Sequence, residues 1–526
     1  MEAGQNYILG MDCGTTNIKA VILSEDGRCV AEASRPNTFI HVGTLGHEQD
    51  ANVWWNNAVD IFHSLVHQTG QTVISRIRGI CVSSHTVSML PLDEAGQPVR
   101  NAITYQDGRS FQELKTIVQE VGFEKFVHIV GGRPSVAFLP NKLLWYKNHE
   151  PENYQKTAWY LQASSYINFK LTGVLSTDVD QATRTQCLDI STMRWSGEIA
   201  KAIEMDLDRC MPKLCAVDEI IGCVSKRAAD ETGLAPGTPV VAGCSDAMAS
   251  MIATGITKIG EVGESSGTTS LVFIGSEKPS SPDAPVVTRP CPIDGIPWIF
   301  DAPIQTSGAA LKWYIDLLAG EEREYCRLND RNIYSYLNEQ ALKAEPGCRG
   351  LLFFPYLLGE RAPLWNDYAR GMFLGLGMDT TREEMTRAVF EGTAFALRHV
   401  VETVKESGGV CNSLRVCGGG AKSRTWSRIK ASMLHCPVKV LDSESGDVPV
   451  GDALLVGRRV GMFQDLAGAE KDIIRVQEVI DPDPEWEKAY DALYPYFVEM
   501  YQALDPKFRA LQQTMTQLGH LKTEKN

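Results

Sequence analysis

Hydrophobic and polar positions along this chain switch between two periods. Near the start, Tyr7–Met11 and Ile18–Leu23 are apolar runs of strand length, separated by the tetrad Cys13-Gly14-Thr15-Thr16. Short apolar runs bounded by Gly, Asp and Ser read as strands. The next break, "SEDGR" at Ser24–Arg28, centres on Asp-Gly, a strong hairpin signal. "CVAEAS" continues as a third strand. From Asp50 the period lengthens: in "DANVWWNNAVDIFHSLVHQ", Trp55, Val59, Phe62 and Val66 recur at helical spacing. "IRGICVSSH" then reads as a buried strand, and "MLPLDEAGQPV" as another strand entering a turn. An antiparallel start followed by strand and helix in alternation predicts an α/β domain.

The second half opens in the same way. "TPVVAGCSD" is an apolar strand and "AMASMIATGI" a helix of small residues. The run Glu261–Gly275, "EVGESSGTTSLVFIG", then repeats the strand, Gly-Thr-Thr turn and strand, with the turn at Gly267, Thr268 and Thr269. Later come a strand "SLRVCGGG", a helix "AKSRTWSRIKASMLH", a strand "PVKVLDS" and a helix "VGDALLVGRRVGMF". After Trp486 the pattern is amphipathic and increasingly polar, which predicts a packed helix with a frayed end. The recurrence reads as a partial internal repeat of supersecondary structure. No low-complexity linker divides the halves, and the boundary is expected between Gly243 and Gly260. The expected domains are 1–250 and 251–500, with a helical tail over 501–526.

Composition narrows the function classes. A chain of 526 residues predicts more than one domain and a large core. It is 44% hydrophobic and 22% charged, as expected of a globular enzyme. The formal charge of −14, from 51 Lys and Arg against 65 Asp and Glu, disfavours nucleic acid and anionic membrane as partners. No apolar run approaches the ~20 residues that span a bilayer, and "MEAGQNYILGMD" lacks the features of a secretory leader. The fourteen Cys include no C-x-x-C and sit in apolar runs, which predicts reduced, buried thiols in a cytoplasmic protein. The ten His are scattered, and a transition-metal site is not expected.

The chemistry concentrates in the turns. A Gly-Thr-Thr hairpin offers successive N–H groups and two hydroxyls, and such concave runs bind anions, phosphate above all. Gly14 permits close approach of a phosphate oxygen. Lys19, on the strand leaving the turn, could reach the same phosphate. Asp12, just before it, could orient Mg²⁺ or its waters, since Mg²⁺ takes one or two carboxylates plus phosphates and water. One such turn alone is more simply a tight turn; two copies in matched hairpins favour the anion site. "RVCGGGAKS" (Arg415–Ser423) is a strand ending in three glycines that open a helix, a context that suits either a nucleotide or tight backbone packing. Asp246 ends an apolar strand, where it could cap the following helix or accept a hydroxyl proton.

Several segments together resemble the FGGY carbohydrate kinases, of the actin-like, ribonuclease-H-like ATPase superfamily. "GMFLGLGMDTTREEMTRAVFEG" (Gly371–Gly392) is similar to the family's C-terminal signature, through Gly371, Phe373, Gly375, Leu376, Glu384, Ala388 and Glu391. "LFFPYLLGERAPLWN", "GHEQDANVWW", "AITYQDGR", "KLLWYKNHEPE" and "LTGVLSTDVDQAT" also resemble family segments, and the xylulokinase-type members look nearest. The resemblance runs from about Tyr7 to Phe463. It implies two ribonuclease-H-like α/β domains with ATP in a cleft between them. It assigns Asp12, Gly14, Thr15, Thr16 and Lys19 to the first phosphate loop and Gly267, Thr268 and Thr269 to the second. Gly308 would lie near the nucleotide, and Gly418, Gly419, Gly420 and Ser423 would form the adenosine segment. Asp246 would be the general base, and Tyr105 an aromatic wall beside the sugar, with Asp107 and Arg109 in the same segment.

The departures bear on the substrate. Xylulokinases carry Met-His, and glycerol kinases Arg-Glu, where this chain has Thr86-Val87. Ala247 follows Asp246 where xylulokinases have Asn. Both changes remove polar contacts that a xylulose site would use, and such contacts discriminate strongly. His85 is a candidate for a replacement contact and equally for a structural role. The expected reaction is transfer of the ATP γ-phosphate to a hydroxyl of a small sugar or polyol, with Mg²⁺, in a chain compatible with a homodimer. Two other readings of the same fold stay open: a non-kinase actin-like ATPase, and a sugar-sensing regulator.

Overall fold

The structure, a computed structural model, describes residues 5–281, 284–442 and 447–518. It divides into two compact units. One contains Met1–Gly255 and Glu444–Ile474; the other contains Ile256–Ser443 and Arg475–Asn526. The segment 444–474 therefore groups with the first unit, although the sequence reading assigned it to the span 251–500.

The first unit is built on six strands: β1 (Tyr7–Cys13), β2 (Asn17–Ser24), β3 (Cys29–Pro36), β4 (Ile77–Ser84), β5 (Ile220–Cys223) and β6 (Pro239–Val241). Their order is β5-β6-β4-β1-β2-β3. β1 pairs antiparallel with β2 and parallel with β4, while β2 pairs antiparallel with β3. β1 is buried at six of its seven positions and intermediate only at Asp12, so it reads as a continuous apolar run rather than an alternating one. Tyr7, Leu9 and Met11 join the apolar cluster that holds Trp54. By strand alternation Gly10 faces the other way, and a Cβ there would lie 1.9 Å from the Pro449 carbonyl. The helix Val448–Arg459 thus comes down directly on β1, also touching β4 and β2.

The helix Ala51–Thr69 packs on β2 and β3. Its N-cap is Asp50, which accepts from Asn52 N–H, an arrangement that satisfies one orphan donor of the first turn. The buried face is Trp54, Trp55, Ala58, Ile61, Phe62 and Leu65. The expected stripe through Val59 and Val66 is only its edge, because the two adjacent tryptophans allow the helix to be phased one residue earlier. His63 and His67 do share one-turn spacing on this helix, but among the described residues no third metal-type ligand joins such a group. A second sheet in this unit runs Ile40–Val42, Gly46–Gln49, Ala102–Thr104, Ser88–Leu92, Trp159–Leu161.

The second unit repeats the plan. Its strands are β7 (Gly260–Ser266), β8 (Ser270–Ser276), β9 (Thr288–Pro290), β10 (Trp298–Ile304), β11 (Cys411–Cys417), β12 (Val438–Leu441) and β13 (Val476–Ile480). The order β9-β10-β8-β7-β11-β12-β13 matches that of the first sheet, with one extra edge strand. Here too an antiparallel hairpin, β7–β8, pairs parallel through β7 with the next strand, β11. The buried helix Arg382–Glu406 begins with a capping box between Thr381 and Glu384. The C-terminal helix is continuous over Pro484–Gln517 and buries Tyr490, Phe497 and Tyr501. Among the described residues no disulfide joins the cysteines, and Cys29 and Cys223 are exposed, against the expectation that the thiols are buried. Among the described residues no helix is long and apolar enough to cross a membrane.

Candidate active site

The first Gly-Thr-Thr turn joins β1 to β2, and its carbonyls are tied down from behind. Asn37 Nδ2 donates to Gly14 O at 3.0 Å, Gln49 Nε2 to Thr15 O at 2.8 Å, and the Asn37 N–H to Thr16 O at 2.7 Å. Thr16 is exposed and Thr15 half-buried. Gly14 is needed sterically: a Cβ would sit 2.7 Å from Asn17 O and 3.0 Å from Asp12 Oδ2.

Asp12 lies at the centre of an acidic group within the same unit. Burial pushes its carboxyl well above the usual range, and the charges of Asp246 and Asp447 push the same way. Lys19 and the Ser83 hydroxyl oppose them. Lys19 Nζ is 3.6 Å from Asp447, with both side chains nearly half exposed. Asp447 caps the helix Val448–Arg459, and one turn on stands Asp452, fully buried, accepting from Ser83 Oγ at 2.6 Å. Asp452 is also pushed well up, chiefly by burial.

Asp246 is the first residue of the helix Asp246–Ala253. The cap is its neighbour: Ser245 Oγ accepts from Met248 N–H at 3.1 Å. The capping alternative for Asp246 is thus taken up by Ser245, while Asp246 Oδ1 accepts from Ala247 N–H at 2.7 Å.

In the second unit the Gly267-Thr268-Thr269 turn is exposed. Its carbonyls are held by main chain. Gly308 N–H donates to Gly267 O at 2.9 Å, while Ser307 and Ala309 N–H donate to Thr268 O at 3.2 and 3.0 Å. Gly308 opens the helix Gly308–Leu317, and a Cβ on it would meet Gly267 O at 2.5 Å. Gly418, at φ +83°, would place a Cβ 2.7 Å from Ser266 O, and Gly420 would place one 2.2 Å from Ser266 Oγ. Gly419 has nothing within 4 Å. The three glycines do not open the α-helix, as the pattern suggested: residues Gly419–Lys422 form a 3-10 turn, and Ser423 caps the helix Arg424–Leu434 through Trp426 N–H. Ser423 Oγ also donates to Asn338. Behind the turn, Lys430 Nζ donates to both oxygens of Glu264, at 2.8 and 2.7 Å, in a fully buried pair.

The residues expected beside the sugar follow β4 and the second sheet of the first unit. Val87 is buried in an apolar cluster with Met89 and Ile103, and Tyr105 packs against that cluster. Thr86 is half-buried. The Asp107 carboxylate is engaged within the protein: it accepts from His47 N–H at 2.8 Å, from Arg109 N–H at 3.0 Å and from Arg109 Nε at 2.8 Å. It thereby organises the 105–109 turn, and Arg109 lies over the Trp145 ring. His85 Nδ1 is 2.9 Å from the Cys13 carbonyl, so that nitrogen carries the proton, and burial lowers the ring's pKa to about 4. Gln49 and Asp180 lie within "GHEQDANVWW" and "LTGVLSTDVDQAT" but receive no role from the sequence, and Asn37, Ser83 and Asp452 lie outside every motif it offers.

Two family models match this chain consecutively. Residues 7–253 match the N-terminal domain of the FGGY family of carbohydrate kinases, and residues 264–459 match its C-terminal domain. The chain belongs to the FGGY family of carbohydrate kinases. It is an ATP-dependent carbohydrate kinase of mixed α/β, two-domain architecture, and its acceptor is a small-molecule sugar. It is 28% identical over 506 residues to a xylulose kinase of Bacillus subtilis, covering 94% of this chain and 96% of that protein. It is 29% identical over 509 residues to a gluconokinase of the same organism, covering 96% and 97%. The crystal structure of xylulose kinase from Rhodospirillum rubrum superimposes with a TM-score of 0.87 at 29% identity, covering 96% of this kinase and all of that chain.

Proposed function

We propose that this kinase uses Asp246 as the general base for transfer of the γ-phosphoryl group to a sugar or polyol hydroxyl. The carrying observation is that Asp246 lies close enough to Asp12, beside the first Gly-Thr-Thr turn, for the two charges to oppose each other. Asp246 accepts the proton as the hydroxyl oxygen bonds to phosphorus; the bond from phosphorus to the bridging oxygen breaks, and its electron pair leaves with ADP. The N–H groups and hydroxyls of Thr15 and Thr16, and those of Thr268 and Thr269, bind phosphate oxygens, with Lys19 adding positive charge. Gly418, Gly419, Gly420 and Ser423 lie on the nucleoside side, where the open space over Gly419 suits a flat ring or ribose.

The acidic group fits Mg²⁺. Among the described residues no cluster of three metal-type ligands forms a protein-only cage. One carboxylate, Asp12, with the neighbouring negative charge of Asp246 and Asp447, is the sparse donor set that Mg²⁺ shares with water and phosphate. When bound, Mg²⁺ supplies charge neutralisation to the polyphosphate.

The relatives divide between xylulose kinases and gluconokinases. Thr86-Val87 and Ala247 offer few polar side-chain contacts, which favours a substrate other than D-xylulose: another ketose, a polyol or an aldonate. A coupled ADP-release screen over ketopentoses, polyols, aldonates and deoxysugars tests this. Preferential turnover of D-xylulose would contradict the substrate reading; absence of sugar-dependent ADP release with every acceptor would contradict the transfer itself.

A further inference from the structure

A general base at the first position of a short helix stands where helices fray, because the first N–H groups have no partner within the helix. The helix Asp246–Ala253 is held against this from outside. Asp180 Oδ2 accepts both the Ser245 N–H, at 3.0 Å, and the Ser245 hydroxyl. The same hydroxyl oxygen accepts from Met248 N–H. Asp180 is itself fixed by Arg184 Nε, which donates to Oδ1 at 2.9 Å, and all three residues are buried.

The next residue, Gln181, grips the neighbouring strand end. Its Nε2 donates to Ser84 O at 3.2 Å and lies 3.0 Å from Ser84 Oγ. Ser84 forms an isolated parallel bridge to Ser245. The six-residue helix Val179–Arg184 therefore holds, with two successive side chains, both strand ends from which Asp246 and the 85–87 segment project.

We infer that Asp180, braced by Arg184, is a positioning residue that fixes Asp246 for proton acceptance by gripping the N–H and hydroxyl of Ser245. The inference rests on the reading of Asp246 as base and adds to it the residue that aims it. A carboxylate at this place does more than fill the core. It satisfies the two donors at the helix start, and its charge is neutralised by Arg184, so Asp246 gains a fixed origin.

The test uses the full chain as Asp180→Ala, Asp180→Asn, Ser245→Ala and the Asp180→Asn/Ser245→Ala double variant. Turnover is measured with the best acceptor of the screen, alongside sugar-independent ATP hydrolysis. Amide exchange over 244–250 is read on the same proteins. Misplacing a catalytic group can cost about a hundredfold. Asp180→Ala is expected to lose about that in kcat for sugar phosphorylation while KM for ATP and the hydrolysis rate stay within about twofold. Amides 245–249 should exchange at least about tenfold faster, with the rest of the unit unchanged, and the double variant should lose little more than the worse single one. Equal falls in sugar phosphorylation and ATP hydrolysis, multiplying losses, or unchanged exchange at 245–249 would overturn it. Should Asp180→Ala not fold, Asp180→Asn and Ser245→Ala carry the same readouts. Asp246→Asn in parallel separates the two claims: near-normal turnover there removes the base assignment, while exchange still decides the grip.

Discussion

The two Gly-Thr-Thr turns share a sequence and a place in their sheets, yet they are backed differently. In the first unit, Asn37 and Gln49, from outside the hairpin, hold the turn's carbonyls, two of them through side chains and the third through the Asn37 N–H. In the second, the main chain of Ser307, Gly308 and Ala309 does so, at the start of a helix. The strand ends leading into the turns differ too. Asp12 brings a carboxylate, whereas Ser266 brings a surface on which Gly418 and Gly420 close-pack. A repeated fold thus fixes where the turns lie. On the proposed function their surroundings divide the labour, with charge and proton handling assigned to one unit and backbone packing for the nucleoside to the other.

Substitution separates the two turns, and the largest effect is expected on the strand end leading into each. Asp12→Ala should lower kcat by about a hundredfold or more, the scale of losing one electrostatic stabiliser, while Ser266→Ala should change it far less. Steady-state kinetics of both variants would contradict the division of labour if the losses were equal. Next comes the main-chain backing: Gly308→Ala puts a Cβ 2.5 Å from a carbonyl oxygen that cannot rotate away. It should destabilise by about 2–3 kcal/mol and weaken ATP binding, read by denaturant unfolding and calorimetry. Side-chain backing is softer. Gln49→Ala removes one hydrogen bond to the first turn and one from Trp54, for about 1–2 kcal/mol.

The smallest effect concerns pH and should have opposite sign at two buried groups, His85 and Glu360. His85 is buried with its pKa lowered to about 4. The folded state then binds fewer protons than the unfolded one below the ordinary histidine range, so stability is lost as pH falls from about 6.5 towards 4. Glu360 is pushed up to about 7 by burial, against the N–H groups of Gln305 and Arg361. The folded state binds more protons there, so its contribution is largest below about 4.5 and is lost as pH rises through 7. Unfolding followed between pH 5 and 8 should show that His85→Gln removes a contribution lost in acid and that Glu360→Gln removes one lost towards neutral; changes of the same sign in both variants would contradict the assignment.

What was legible in the sequence is what local pattern encodes. The hairpins β1–β2 and β7–β8, the helix Ala51–Thr69 and the apolar strands all follow from runs and turns of a few residues. The joint motifs reached the family, since each needs only spacing. What was not legible depends on residues far apart. The helix Val448–Arg459 has an ordinary amphipathic pattern, and nothing in it says that its glycine-lined approach is to β1, more than four hundred residues earlier by number. Asp452 beside Ser83, and Asp180 beneath Ser245, are buried polar pairs whose members look unremarkable alone. The glycines Gly418 to Gly420 were visible as a turn, but the 3-10 geometry and the cap at Ser423 follow from packing on Ser266.

The account's central claim is that proton acceptance and nucleotide binding are separate jobs, with Asp246 performing the first. Asp246→Asn keeps size and hydrogen-bonding shape while removing the base. Single-turnover phosphoryl transfer to the best acceptor should fall by about a thousandfold or more, within the range of general-base contributions, while the Kd for MgATP by calorimetry stays within about twofold of wild type. Transfer at near the wild-type rate, with ATP bound equally well, would contradict it.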